Sequence, residues 1–217
     1  ALSRFRWTGP VLAVFLLAGQ AGYGVYRLNS EGAKAEPNGP IVRIVQPSVR
    51  QDEEWDAAVR DRIFSTYLEM TAQAPDAGKP GPALVIWPET AVPFLFTDRP
   101  DALVALGETL ADKQMLLAGT VRQEGHRNEG ETVRYYNSVL AINDLGEVTD
   151  AADKAHLVPF GEYLPMADLL ESFGLQQLVA TPGGFSTGSG RHRFKIAGFP
   201  DIAPLICYEI IFPGAMG

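Results

Sequence analysis

Residues 83–87 read Ala-Leu-Val-Ile-Trp and stop at Pro88. Apolar side chains in sequence, with no polar residue between them, fit a strand buried on both faces. Such a strand requires a packed layer on each side of its sheet. Proline cannot continue a central strand, so the chain leaves the sheet there and sets Glu89 at its rim. The neighbouring segments alternate in the same sense. Residues 41–46 (Ile-Val-Arg-Ile-Val-Gln) are rich in β-branched side chains and end before Pro47. Residues 52–73 carry Trp55, Ala58, Val59, Ile63, Tyr67 and Met70 at three- and four-residue steps, which predicts an amphipathic helix. Residues 75–82 break it, residues 100–112 offer a second helix, and residues 115–121 and 135–142 offer two more strands across a polar turn from His126 to Gly130. The order β-α-β-α-β-β predicts an α/β layered domain and not an all-β sandwich.

Beyond Lys154 the pattern loosens. Residues 157–189 contain Pro159, Pro165, Pro182 and several glycines. A short helix is expected within residues 166–173, and a stretch this long without regular structure is expected to act as a lid or binding loop. Two closing strands are expected near residues 193–196 and 203–207. At the other end, Thr8 to Tyr26 contains no charged residue. As a helix it would be about 28 Å long at roughly 1.5 Å per residue, close to the roughly 30 Å hydrocarbon core of a bilayer. Arg4 and Arg6 before it and Arg27 after it favour a cytoplasmic N-terminal end, with the rest of the chain on the outer side. A signal peptide and a buried core helix remain open as alternatives. The polar, Gly- and Pro-containing residues 29–40 read as a linker. The organisation expected is therefore a transmembrane segment over residues 1–28, a linker over 29–40 and a globular domain over 41–217.

Charge and composition exclude several classes. The net charge is −8, so a general binder of nucleic-acid phosphates is not expected. His126, His156 and His192 are far apart, and there is neither a Cys-x-x-Cys pair nor a His-Glu-x-x-His motif. No metal and no cofactor are expected.

Cys207 is the single cysteine. It follows the apolar stretch Ile202-Ala203-Pro204-Leu205-Ile206 and precedes Tyr208 and Glu209. A lone thiol is either a small buried hydrophobe or a reactive group. Glu89 and Lys154 are likewise expected at the ends of apolar stretches, and in open α/β sheets ligands bind at the carboxyl ends of strands. If the three meet, the chemistry is defined. A carboxylate can take the thiol proton as general base. A lysine ammonium can favour the thiolate and stabilise the oxyanion formed when a carbonyl is attacked. The Tyr208 backbone N–H would be a second oxyanion donor.

Three strings carry a resemblance: Trp87-Pro88-Glu89, the run Asp153-Lys154-Ala155-His156-Leu157-Val158-Pro159-Phe160-Gly161-Glu162, and Ile206-Cys207-Tyr208-Glu209. Together they resemble the signatures of the nitrilase superfamily, carbon–nitrogen hydrolases with a Glu-Lys-Cys triad. Val158 to Pro165, Cys207 to Ile211, the Phe185-Ser186-Thr187-Gly188 loop and the apolar N-terminal segment are similar to its apolipoprotein N-acyltransferase branch. The resemblance implies an αββα sandwich. It implies an acyl transfer from a phospholipid donor, through a Cys207 thioester, to the α-amino group of a diacylglyceryl-modified apolipoprotein at the outer side of the bacterial inner membrane. In that scheme Glu89 is the general base, Lys154 the oxyanion stabiliser and Glu162 a second active-site glutamate that holds Lys154. Tyr208 and Glu209 flank the nucleophile as substrate-binding positions. Trp55 matches a tryptophan near the acyl pocket, or is a core aromatic on its helix. The apolar residues Leu164, Met166, Leu169, Leu170, Phe173, Leu175, Leu178 and Val179 either face lipid as a lid or pack on the domain.

The chain departs from this pattern by ending at Gly217, soon after the nucleophile. The superfamily carries a second half of the sandwich beyond the cysteine, and the branch carries further membrane helices. The expectation is a truncated domain, inactive or nearly so. Two other readings stay open: a soluble nitrilase-type amidase with water as acceptor, and a non-catalytic membrane-anchored binding module.

Overall fold

The computed structural model describes residues 7–30, 39–49, 56–75, 77–125, 133–163 and 184–212. The chain divides into two units, Ala1–Gly39 and Pro40–Gly217. In the first, helix α1 (Thr8–Ser30) runs for 23 residues with none buried. It is long and apolar enough to cross a membrane. Most of the expected linker, Trp55, the expected helix at 166–173 and the apolar loop residues Leu164 to Val179 lie outside the described residues.

The second unit is built on one five-stranded mixed sheet. Its strands are β1 (Val42–Ile44), β2 (Leu84–Trp87), β3 (Met115–Glu124), β4 (Arg134–Ile142) and β5 (Val148–Asp153), side by side in chain order. β1, β2 and β3 pair in parallel, and β3, β4 and β5 pair antiparallel. Helices α2 (Ala57–Thr71) and α3 (Pro100–Thr109) supply the two parallel crossovers. Asp56 caps α2, its Oδ1 accepting the Val59 N–H at 2.8 Å. Pro100 opens α3 at a position where a missing N–H is harmless.

The two faces of the sheet follow the period of two. Val85, Trp87, Leu116, Ala118, Leu140 and Ile142 pack with Ile63, Phe64 and Tyr67 of α2 and with Ala102 and Leu106 of α3. Leu84, Leu117, Ala141 and Ala152 face the other way, against Phe194 and Ile196. Trp87 is anchored across the helical layer, its indole N–H donating to Thr71 Oγ1 at 3.0 Å.

The α/β layering matches the expectation, with two corrections. A fifth strand, β5, precedes Lys154, whereas the residues before it carry the polar sequence Val-Thr-Asp-Ala-Ala-Asp. The two closing strands reduce, among the described residues, to a single antiparallel bridge between Phe194 and Ile202. Pro204 removes a ladder donor from the second segment, and the chain there covers the sheet face in place of extending it. Cys207 accordingly opens a short 3-10 helix, Cys207–Ile211, and does not end a strand.

Candidate active site

Four elements converge on one rim. β2 and β3 run parallel and end there, β4 begins there, and β5, antiparallel to β4, ends there. Glu89 follows β2 by two residues, Asn137 lies near the start of β4, and Lys154 follows β5 directly.

The turn that carries Glu89 is fixed by its neighbour strand. Ala91 donates its N–H to the Gly119 carbonyl at 2.8 Å. A Cβ at residue 119 would overlap the Pro88 carbonyl oxygen and lie 2.6 Å from Glu89 Cα. Glycine is what lets the Pro88–Glu89 backbone cross β3 this closely. The following residue, Thr90, adopts a φ of 48°.

Lys154 is buried, and its Nζ donates to Glu162 Oε1 at 2.8 Å. Glu162 is itself held: its Oε2 accepts the Val158 N–H at 3.0 Å. Asn137 Nδ2 donates to Glu89 Oε1 at 2.7 Å and to Glu162 Oε1 at 3.3 Å. A continuous chain of contacts thus joins Glu89, Asn137, Glu162 and Lys154. The loop of residues 185–188 laces the back of this chain. Phe185 donates to the Glu162 carbonyl at 2.8 Å, Ser186 to the Tyr135 carbonyl at 2.7 Å and Gly188 to the Lys154 carbonyl at 2.9 Å. A Cβ at residue 188 would lie 2.5 Å from the Asp153 carbonyl oxygen, so glycine is needed there too.

Asp153 steadies Lys154 from the preceding position. Arg122 grips its carboxylate in a two-point contact at 3.0 and 2.7 Å, and Ser138 Oγ donates to it at 2.6 Å. Burial draws the Asp153 carboxyl upward, but the hydrogen bonds from Arg122 and Ser138 outweigh it and hold the group below the usual carboxylate range.

The exposed Cys207 stands at the start of the 3-10 helix with a φ of 56°, in the left-handed region. Buried Glu209 ties this turn to the loop after Lys154. Its Oε2 accepts the Ile206 N–H at 3.0 Å, and its Oε1 accepts the N–H groups of Ala155 at 2.8 Å and His156 at 2.9 Å. Cys207, Glu89 and Asn137 line one cavity of about 340 Å³, walled by Ile86, Leu117 and Val139 from the sheet and by residues 202–206. Lys154 does not line this cavity; it is joined to it through the hydrogen bonds of Glu162 and Asn137.

The arrangement brings Glu89 and Cys207 to a common volume and links Glu89 to Lys154 and Glu162. Tyr208 is exposed beside Cys207. Glu209 is turned inward onto backbone N–H groups. Asn137 escaped the reading of the sequence; the signal available was its place in the Tyr135-Tyr136-Asn137-Ser138 run of a strand otherwise read as core. Among the described residues no group of His, Cys, Asp and Glu could hold a metal ion.

A family model for the carbon-nitrogen hydrolases matches residues 41–216. The chain is 46% identical over 214 residues to the apolipoprotein N-acyltransferase of Brucella suis biovar 1, a match covering 98% of this chain and 40% of that protein. It is 48% identical over 212 residues to the apolipoprotein N-acyltransferase of Rhizobium leguminosarum bv. trifolii, covering 96% and 40%. It thus spans about 40% of the length of the curated relatives it matches. Among solved structures, a mutant of the Nesterenkonia AN1 amidase from the nitrilase superfamily aligns over 82% of this chain and 56% of that one, at 15% identity and a TM-score of 0.46.

Proposed function

Because the chain belongs to the carbon-nitrogen hydrolase family, we propose that Cys207 is an acyl-accepting nucleophile, Glu89 its general base and Lys154 the oxyanion stabiliser of an N-acyltransferase. The observation that carries this reading is the shared cavity of Cys207 and Glu89, with Glu89 joined to Lys154 through Asn137 and Glu162. The name of the relatives, apolipoprotein N-acyltransferase, supports the choice of acceptor, and the apolar helix α1 supports a membrane-held enzyme.

In the first half-reaction the Cys207 thiol passes its proton to Glu89, and its sulfur attacks the ester carbonyl carbon of a phospholipid. The carbonyl oxygen gains the negative charge. The Tyr208 N–H stabilises it directly, since the first turn of a helix leaves its N–H groups without intrahelical acceptors, and the Lys154 ammonium contributes its positive charge from beyond Glu162 and Asn137. The C–O bond then breaks, Glu89 returns the proton to the departing alcohol, and Cys207 is left as a thioester. In the second half the α-amino group of the lipidated N-terminal cysteine of an apolipoprotein attacks the thioester. Glu89 accepts a proton from the nitrogen, the amide forms, and the sulfur leaves and is reprotonated. Glu162 keeps Lys154 in place throughout. Glu209 holds the nucleophile turn against the loop after Lys154, which assigns it a positioning part and leaves Tyr208 as the flanking residue open to substrate. Arg4 and Arg6 favour a cytoplasmic N-terminus and so a catalytic unit on the outer side of the bacterial cytoplasmic membrane.

The test is mass spectrometry of the full chain after incubation with a phospholipid of defined acyl chains. The expected result is a hydroxylamine-sensitive mass increase of one acyl group on the Cys207 peptide, lost in Cys207→Ala and transferred to an added diacylglyceryl lipopeptide. Acyl loss to water at the same rate with and without the lipopeptide would instead support an amidase-type hydrolase.

A further inference from the structure

We propose that Asn137 is a positioning residue, one that holds the Glu89 carboxylate toward Cys207 by dividing the two hydrogens of its amide between Glu89 and Glu162. Asn137 lies on β4 opposite Val121 of β3, and it is buried. Its backbone carbonyl accepts the Lys154 N–H at 2.8 Å. Its side-chain nitrogen reaches Glu89 Oε1 at 2.7 Å and Glu162 Oε1 at 3.3 Å, the same Glu162 oxygen that accepts from Lys154. One residue therefore touches the base, the lysine backbone and the carboxylate that grips the lysine.

Two features indicate that this amide is kept for the site and not for the fold. First, its Oδ1 is buried and has no partner among the described residues. An unsatisfied buried acceptor is destabilising, and an apolar side chain of similar shape would avoid it. The opposite amide orientation would set that oxygen against two carboxylate oxygens, so the network itself fixes which atom is the donor. Second, Glu89 is exposed at the cavity mouth, and no other donor among the described residues reaches its carboxylate. A free glutamate side chain samples many rotamers; a short bond to one oxygen selects one and leaves the other oxygen for the thiol proton.

The inference rests on Glu89 acting as base toward Cys207, and the test separates the two claims. The rate of Cys207 alkylation by iodoacetamide is measured against pH in the full chain for the wild type, Glu89→Gln, Asn137→Leu and Asn137→Asp, together with thermal midpoints. The ionisable groups around the amide are Glu89, Glu162, Lys154 and Cys207. Glu89→Gln is expected to slow alkylation at neutral pH by at least about tenfold. Asn137→Leu is expected to slow it by about five- to tenfold, because a Glu89 side chain that loses its aimed N–H samples many rotamers. Its thermal midpoint should fall by only a few degrees, because losing the orphaned oxygen offsets part of the two hydrogen bonds lost to Glu89 and Glu162. Asn137→Asp keeps the shape but sets an oxygen where the N–H donor stood, and it should slow alkylation at least as much, which a role in packing alone would not do; it decides the matter if the leucine variant folds poorly. If Glu89→Gln slows alkylation while both Asn137 variants stay within about twofold, the inference is overturned and the base assignment stands. If Glu89→Gln changes nothing, both fall.

Discussion

Glu209 follows Cys207 by two residues, yet its carboxylate faces inward and accepts three backbone N–H groups, from Ile206, Ala155 and His156. A hydrogen bond to a charged group is worth roughly 1.5–3 kcal/mol, and an orphaned buried donor loses more than a solvated one. Glu209→Ala should therefore destabilise the Pro40–Gly217 unit by about 3–5 kcal/mol, read as a drop in the urea midpoint. Amide exchange should quicken at residues 155, 156 and 206 first. A uniform loss of protection across the sheet, with those three amides unchanged, would contradict the clamp. Glu89, Lys154 and Cys207 were legible as candidates because each stands in a distinctive local string. Asn137 was not. Nothing in the neighbouring residues marks an asparagine as a bridge between carboxylates. Only the pairing of β4 between β3 and β5, and the turn that returns Glu89 across Gly119, brings those groups to it. Glu209 was legible as a position close to Cys207, but the inward direction of its side chain follows from the left-handed backbone at Cys207 and the 3-10 turn after it.

Among elements, the strands were legible where apolar content is dense and obscure where it is not. β2 and the first half of β3, Met115 to Ala118, bury both faces and read as near-continuous apolar runs. β5 is an edge strand with three polar residues in six, and its placement comes from the turn around Asn143. There Asn143 Oδ1 accepts the N–H groups of Leu145 at 3.0 Å and Glu147 at 2.9 Å. Its register is then locked across three strands by Arg122 of β3, Ser138 of β4 and Asp153 of β5. Two predictions belong here. The Asp153 carboxyl is held below its ordinary range in the folded state. A depressed carboxylate contributes stability that is fully present above its unfolded value of about 3.9 and is lost as pH falls through the lower folded value. Asp153→Asn should thus lower the urea midpoint at neutral pH, and its midpoint should fall less steeply than the wild type's below about pH 4. Parallel profiles for the two proteins would rule out this linkage. At the crossing of β3 with the Glu89 turn, Gly119→Ala should cost about 1–3 kcal/mol through overpacking. It should also slow Cys207 alkylation, because the strain is relieved by moving Pro88 and Glu89; an unchanged alkylation rate would show that the turn gives elsewhere.

For the molecule as a whole, the open question is what surrounds α1. Its 23 residues span about 35 Å at roughly 1.5 Å per residue, against a hydrocarbon thickness of about 30 Å. None of them is buried, and Val11, Leu12, Phe15, Leu16 and Leu17 are exposed on successive turns. Apolar surface of that extent is costly in water, and three environments would cover it: a bilayer, a protein core or the path of a cleaved signal. They differ in what a buried charge does. Replacing Leu16 and Leu17 by arginine adds about 2.5–3.5 kcal/mol per residue to membrane insertion on translocon-based scales. If α1 lies in a bilayer, the double variant should pass from the pellet to the supernatant on alkaline carbonate extraction, while the Pro40–Gly217 unit keeps its thermal midpoint. If α1 were a core helix, the same two charges would lower that midpoint by several degrees. If it were a cleaved signal, the mature protein would begin beyond Ser30 by mass spectrometry, and extraction would be the same for both proteins. A variant that stays in the pellet with its midpoint unchanged and its N-terminus intact would exclude a simple spanning helix at this position.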